Sequence, residues 1–264
     1  MPEQAFGRWN NAKELELVVM EKSKLLGEDH PDTLLSMANL ANTYSKQGRW
    51  NMAEGLEVEV MKKRKQLLGE DHPDTLLSMA NLANLYKKQG HWNRAEELEV
   101  VVMEKRKQLL GEDHPDTLLS MANLANTYSK QGCWNRAEEL EVVVMDKRKQ
   151  LLGEDHPDTL LSMVNLANIY SKQGRWNRAE ELEVVVMRKR RHLLREDHPD
   201  MLMSMVNLAN TYSKQGRWNR AEELEVVVME KRKQRLGENH PHTILSIANL
   251  AIYREVTEMT TSGT

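Results

Sequence analysis

The chain repeats itself every 42 residues. His-Pro recurs at His30, His72, His114, His156, His198 and His240, and Gly-x-Trp recurs at Trp9, Trp50, Trp92, Trp134, Trp176 and Trp218. Self-similarity at a fixed period of this length is the signature of a stacked array, in which each unit touches only its neighbours. A single globular core is thereby excluded. Function has to come from the surface that the stack presents, because no single copy carries recognisable chemistry.

The copy at residues 111–152 shows the pattern of all of them. Leu118, Met121, Leu124, Ala125 and Tyr128 fall on one face of a first helix, helix A. Pro115 suits its first turn, Asp113 or His114 its cap, and Gln131-Gly132 its end. Trp134 opens helix B, in which Ala137, Leu140, Val144, Met145, Arg148 and Leu151 share a broad face. Glu138, Glu139 and Glu141 crowd its start and Lys147, Arg148 and Lys149 its end, which complements the helix dipole. The short Gly-Cys-Trp turn makes A and B antiparallel, so Glu112-Asp113 should meet the basic end of the preceding helix B. One array is expected over residues 1–255. It comprises an orphan helix B at 9–26, A-B pairs at about 32–68, 74–110, 116–152, 158–194 and 200–236, and an orphan helix A at 242–255. A disordered tail is expected over 256–264. Exceptions among such similar copies are informative. Gly55 weakens one helix B by about 1 kcal/mol. Arg195 replaces a junction glycine, so positive φ is not obligatory there. Arg235 replaces a leucine read as core, and Tyr253 comes one residue early.

A net charge of −3 supplies no bulk attraction to nucleic acid or membrane. One cysteine, Cys133, excludes an internal disulfide and favours a reducing compartment. The N-terminus lacks the basic and apolar regions of a signal peptide, and no run approaches the roughly 18 apolar residues of a membrane span. A cytoplasmic protein is expected.

The pattern resembles the tetratricopeptide repeat. The helix A signature of that family appears as Met121, Leu124, Ala125 and Tyr128, and its helix B signature is partly kept as Ala137 and Val144. The 42-residue length and the HPDTL junction are similar to kinesin light chains, and more so to the repeat arms of fungal proteins related to nucleotide-binding immune receptors. The resemblance covers about residues 5–252. It implies an all-α fold, a right-handed α-solenoid of antiparallel helix pairs, with the second face of helix A lining a concave groove. There are departures. The bulky helix B position carries Glu141 and its equivalents Glu16, Glu57, Glu99, Glu183 and Glu225, and it is followed by Val142 and Val143. No heptad segment precedes the array, and no phosphate-binding G-x-x-x-x-G-K-[ST] loop exists in the chain.

Asparagines dominate the implied groove face. Asn123 and Asn126 lie three apart on helix A, with Leu119, Ala122 and Lys130 on the same face. The stack repeats them as Asn39 and Asn42, Asn81 and Asn84, Asn165 and Asn168, Asn207 and Asn210, then Asn249. The lysines recur as Lys46, Lys88, Lys172 and Lys214. An amide donates and accepts, so a ladder of amides can pair with an extended peptide backbone. It can equally tie neighbouring repeats together, and one residue of each pair could do each job. The Glu-Asp-His junctions suit capping and ion pairing rather than a metal, because equivalent residues lie a helix pair apart. The basic ends of the B helices complement dipoles and junction acids, and no aromatic interleaving there suggests nucleic acid. The tryptophans read as structural pins of the A-B turn. Cys133 occupies a slot that elsewhere holds Arg49, His91, Arg175 or Arg217, and no catalytic spacing is present.

These features point to a non-catalytic scaffold that holds a peptide or protein segment, with no cofactor, no metal, no nucleic acid and no membrane. The alternative is a self-assembly module. The first helix B (Leu15, Val18, Val19, Met20) and the last helix A (Ile244, Ile247, Leu250, Ala251) each lack a partner, which allows weak head-to-tail association.

Overall fold

A computed structural model describes residues 18, 19, 21 and 25–262, with side chains to 259. The described residues form eleven helices and no strand. They fall into two compact units, Met1–Cys133 and Trp134–Thr264. The first holds α1 (Pro31–Lys46), α2 (Trp50–Leu68), α3 (Pro73–Gln89), α4 (Trp92–Leu110) and α5 (Pro115–Lys130). The second holds α6 (Trp134–Leu152), α7 (Pro157–Lys172), α8 (Trp176–Leu193), α9 (Pro199–Lys214), α10 (Trp218–Leu236) and α11 (Pro241–Ser262). Odd numbers are A helices and even numbers are B helices. Most of the helix expected at 9–26 lies outside the described residues; Val18, Val19 and Glu21 are helical and exposed.

The sequence punctuates these helices by identifiable contacts. Each A helix starts at a histidine whose Nδ1 accepts a hydrogen bond from the backbone N–H two residues on, as His114 does from Asp116 at 3.1 Å. The proline that follows has no N–H to leave unsatisfied. Each A helix of the five A-B pairs ends on a left-handed glycine. In α1, Gly48 has φ +74, the Arg49 N–H reaches the Tyr44 carbonyl at 2.9 Å, and the Gly48 N–H reaches that of Ser45 at 3.2 Å. That is a Schellman closure, and it turns the chain straight into helix B. Where Arg195 stands for the junction glycine, no positive φ is adopted. There α8 stops at Leu193, and Leu194 is extended at φ −124. The last helix runs on to Ser262 rather than ending near 255, so helix occupies most of the segment expected to be a disordered tail. No Gly or Pro interrupts residues 254–262, and Arg, Glu and Met are good helix formers.

Antiparallel pairing is visible at the ion pairs. Lys63, near the end of α2, reaches Asp29 just before α1 at 2.9 Å, and Lys189 of α8 reaches Asp155 before α7 at 2.6 Å. The junction acids also meet the preceding helix B, as expected: Lys107 to Glu112 at 2.7 Å. Small residues carry the closest contacts. Ala179 is fully buried against Leu166, Ala167 and Tyr170, with Val142, Met145 and Leu182 around them. Two expectations about faces need correction. Leu151 is 53% exposed and its equivalents Leu67, Leu109 and Leu193 are similarly open, so Arg235 replaces an exposed leucine and not a core one. Ala122 and Val206 retain only 9% exposure, which puts that position at the packed margin of the face rather than in open groove.

What joins one pair to the next is polar and buried. Arg64 of α2 donates to Ser78 Oγ (2.9 Å) and the Asp74 carbonyl (3.2 Å) of α3. Arg106 to Ser120, Arg148 to Ser162, Arg190 to Ser204 and Arg232 to Ser246 repeat the contact. Seven residues before each arginine sits a glutamate: Glu57, Glu99, Glu141, Glu183 and Glu225 are all at most 5% exposed. Burial pushes Glu57, Glu141 and Glu183 up from 4.5 to about 7, and partner hydrogen bonds offset part of that rise. Those partners come from the next A helix and follow a rule. Where the chain has Thr127 or Thr211, the hydroxyl serves Glu99 (2.5 Å) or Glu183. Where that position is Leu85 or Ile169, the asparagine four residues earlier takes over: Asn81 to Glu57 and Asn165 to Glu141 (3.3 Å). Where it is Tyr253, both carboxylate oxygens of Glu225 are buried with no hydrogen-bond partner among the described residues. Glu99 has a further partner, Lys87 at 2.7 Å, at a position that is serine in the other pairs.

Two outcomes follow for stability. Ala179→Leu overpacks the contact with α7 and should cost about 1–3 kcal/mol, and Leu166→Ala should leave a cavity worth about 2–5 kcal/mol; thermal melts of the two variants measure both. The buried glutamates make stability pH-dependent. Their folded pKa lies above the unfolded value, so their contribution is complete below about 4.5 and is lost as pH rises through about 7. Glu141→Gln mimics the protonated form. Its melting temperature should exceed that of the parent by several degrees at about pH 8.5, with little difference at about pH 5.5.

Candidate functional site

The exposed face of the A helices forms a groove in each unit. In the first unit a groove of about 630 Å³ is lined by Asn39 and Asn42 of α1, Asn81, Asn84 and Lys88 of α3, Trp92 of α4 and Asn126 of α5. In the second, a groove of about 420 Å³ is lined by Trp134, Asn168, Lys172, Trp176, Asn207, Asn210 and Lys214. Helical spacing accounts for this: an asparagine and the lysine four residues on point the same way, one turn apart. Lys46 and Lys130 are also exposed on their helices but do not line these grooves. Asn123 faces a small crevice beside Glu99 and Val102.

Two of the asparagines, Asn81 and Asn165, are drawn toward the buried glutamate of the preceding B helix. Asn42, Asn84, Asn126 and Asn168 are exposed, and among the described residues nothing in the chain hydrogen-bonds their side chains. Asn210 stays exposed while its Oδ1 accepts a 3.2 Å bond from Tyr253. Each groove therefore presents amides able to donate and to accept, beside lysine ammonium groups. Lys88 is steadied by Ser45 Oγ at 2.9 Å.

Two participants escaped the sequence reading. Trp92, Trp134 and Trp176 line the grooves, and Trp134 is 38% exposed, so a tryptophan that opens helix B also offers ring surface to the groove. Glu57 and Glu183 lie at the groove floors, each with one carboxylate oxygen, Oε2, that has no hydrogen-bond partner. The signal for the glutamates was present in the sequence: a charged residue recurred in every copy at a position that is bulky in related repeats. The basic helix ends are engaged by junction acids, for example Lys105 with Asp71 at 2.6 Å. Cys133 is exposed. No described helix is long and apolar enough to cross a membrane.

The tetratricopeptide repeat family matches five consecutive stretches, residues 33–74, 75–116, 117–158, 159–200 and 201–242. No curated protein matches the chain. Among solved structures, a Podosopora anserina chain assigned to kinesin light chain, with nearly identical TPR-like repeats, is 31% identical; the match covers 78% of this chain and 98% of that one, with a TM-score of 0.70. BtubC from P. vanneervenii shares the fold at 20% identity and a TM-score of 0.74, covering 88% of this chain and 94% of its own. The apo quorum sensor NprR from B. thuringiensis does so at 15% and 0.67, covering 86% and 62%. The matched family is a repeat scaffold of the kind that mediates protein–protein interaction, and five of its repeats in register account for nearly every described helix: the chain belongs to the tetratricopeptide repeat family.

Proposed function

We propose that the chain is a cytoplasmic, non-catalytic scaffold that holds an extended protein segment in its grooves. The observation that carries this is the row of exposed asparagines. Asn42, Asn84, Asn126 and Asn168 keep their donors and acceptor for another molecule, while in two copies the other asparagine of the pair, Asn81 or Asn165, turns to the buried glutamate. Asn is a poor helix former, so its retention at an exposed helical position needs a use outside the helix. An extended backbone offers N–H and C=O groups in alternation, which suits a row of amides, and the tryptophans and lysines would then select its side chains. The HPDTL junction is in keeping with the repeat arms of fungal proteins related to nucleotide-binding immune receptors.

A second reading, self-assembly, has one observation in its favour. Ile244 and Ile247 of α11 are 53% and 48% exposed, whereas Leu202 and Met205 at the same positions of α9 are 5% exposed. A helix B from another copy would cover them. Leu250, assigned to that open face, is instead buried at 5%, which narrows the face. Sedimentation over a wide concentration range tests this: mass should rise with concentration and stop rising in Ile244→Asp/Ile247→Asp.

For the groove, a peptide-array screen of the purified chain supplies segments to titrate. Replacing Asn126, Asn168 and Asn210 together with Ala should weaken the selected peptides by about one to two orders of magnitude. The helical circular dichroism should not change. Unaltered affinity, or loss of the fold, would refute groove recognition by these amides.

A further inference from the structure

One B helix carries a cationic row that its sister helices lack. On α8, Arg188, Arg191 and His192 fall at i, i+3 and i+4, hence on one face, and Arg195 follows just past the helix end. The same positions hold Glu104, Lys107, Gln108 and Gly111 on α4, and Glu230, Lys233, Gln234 and Gly237 on α10. All four residues are exposed. Arg195 pairs with Asp197 at 3.3 Å, but the pairing that neutralises the last turn of other B helices is missing at Arg191. Lys65, Lys107, Lys149 and Lys233 each bond the glutamate five residues on, but Arg191 makes no such pair, and Glu196 bonds Lys231 at 3.2 Å instead. Neither Arg188 nor Arg191 has an ion-pair partner among the described residues. Lys189 and Arg190, by contrast, are occupied with Asp155 and with Ser204. Arg235, also unique to its copy, is held against the junction after α8 by the Asp197 carbonyl at 2.6 Å, which adds a further guanidinium beside Arg195.

Complementing the helix dipole does not account for the row. The dipole acts within the last turn, whereas Arg188 precedes that turn and Arg195 lies outside the helix. We propose that this edge of α8 is a docking surface, separate from the groove, for an acidic helical segment of a partner protein. Cations at i, i+3 and i+4 stand one turn apart, and a facing helix with glutamates at the same spacing presents carboxylates to match, to which guanidinium forks can donate hydrogen bonds in pairs. A bilayer or a nucleic acid fits less well. Laid across this edge, either would also meet Asp146 on α6 and Glu230 on α10, which are exposed at the position of Arg188. The row also contains no tryptophan, tyrosine or phenylalanine on which bases could stack.

The test uses the full chain and a synthetic alanine-based helical peptide with glutamates at i, i+3, i+4 and i+7, read by fluorescence anisotropy. A glutamine version of the peptide is the control. The glutamate peptide should bind about tenfold or more tightly than the glutamine peptide, and the difference should shrink as salt is raised to about 150 mM. Arg188→Glu/Arg191→Lys/His192→Gln/Arg195→Gly gives α8 the residues of its sister α4, so it should fold and melt as the parent does yet lose the preference. If that variant loses helical signal, Arg188→Gln/Arg191→Gln decides by the same readout. Equal affinity of parent and folded variant for the glutamate peptide overturns the proposal. So does tighter retention of phosphatidylserine-containing vesicles, or of a single-stranded oligonucleotide, than of the peptide.

Discussion

A buried carboxylate between neighbouring helix pairs is the contact on which the rest of this structure depends. A glutamate on the second helix of each pair is removed from water, and a carboxylate so placed is costly unless something bonds it or a proton neutralises it. The next helix supplies the bond, from a threonine hydroxyl or an asparagine amide, and its serine takes the arginine two turns further along. A shift of register between the two helices would strand both charged groups at once. The tie therefore specifies how one pair seats on the next more strictly than interchangeable leucines could.

The same tie explains variation that looks random in the sequence. Leu85 and Ile169 replace a threonine in two copies, and in those copies the asparagine supplies the missing hydrogen bond. Tyr253 departs from this account. It stands at the threonine position and is buried against Trp218, and the oxygens of Glu225 are left without a hydrogen-bond partner among the described residues. Arg254, standing where the other copies have tyrosine, reaches Glu222 at 2.7 Å. The apparent one-residue slip is thus a pair of substitutions in an unbroken helix.

The tie also governs the candidate site. Because a threonine, or the first asparagine of a pair, serves the glutamate, the second asparagine can remain exposed beside its lysine without destabilising the stack. The groove is then the solvent side of the surface whose buried side holds the repeats together. Outside it, the B-helix ends are neutralised by junction acids in a regular way, so the unpaired arginines of α8 stand out against a balanced background.

The repeat period, the two helices per copy, their caps and their antiparallel order were legible in the sequence, because each depends on residues close along the chain: His-Pro at the start, Gln-Gly at the turn, alanine at the close contact. The asparagine rows were legible as a face for the same reason. Which asparagine of a pair is engaged was not legible, since the answer lies across an interface on a glutamate 24 residues away. Nor was the exposure of Leu151 and its equivalents, which follow the helical period of the core yet stay open to solvent. Local spacing determines what a helix presents. Only tertiary packing decides whether that face meets water, a neighbour or a buried charge.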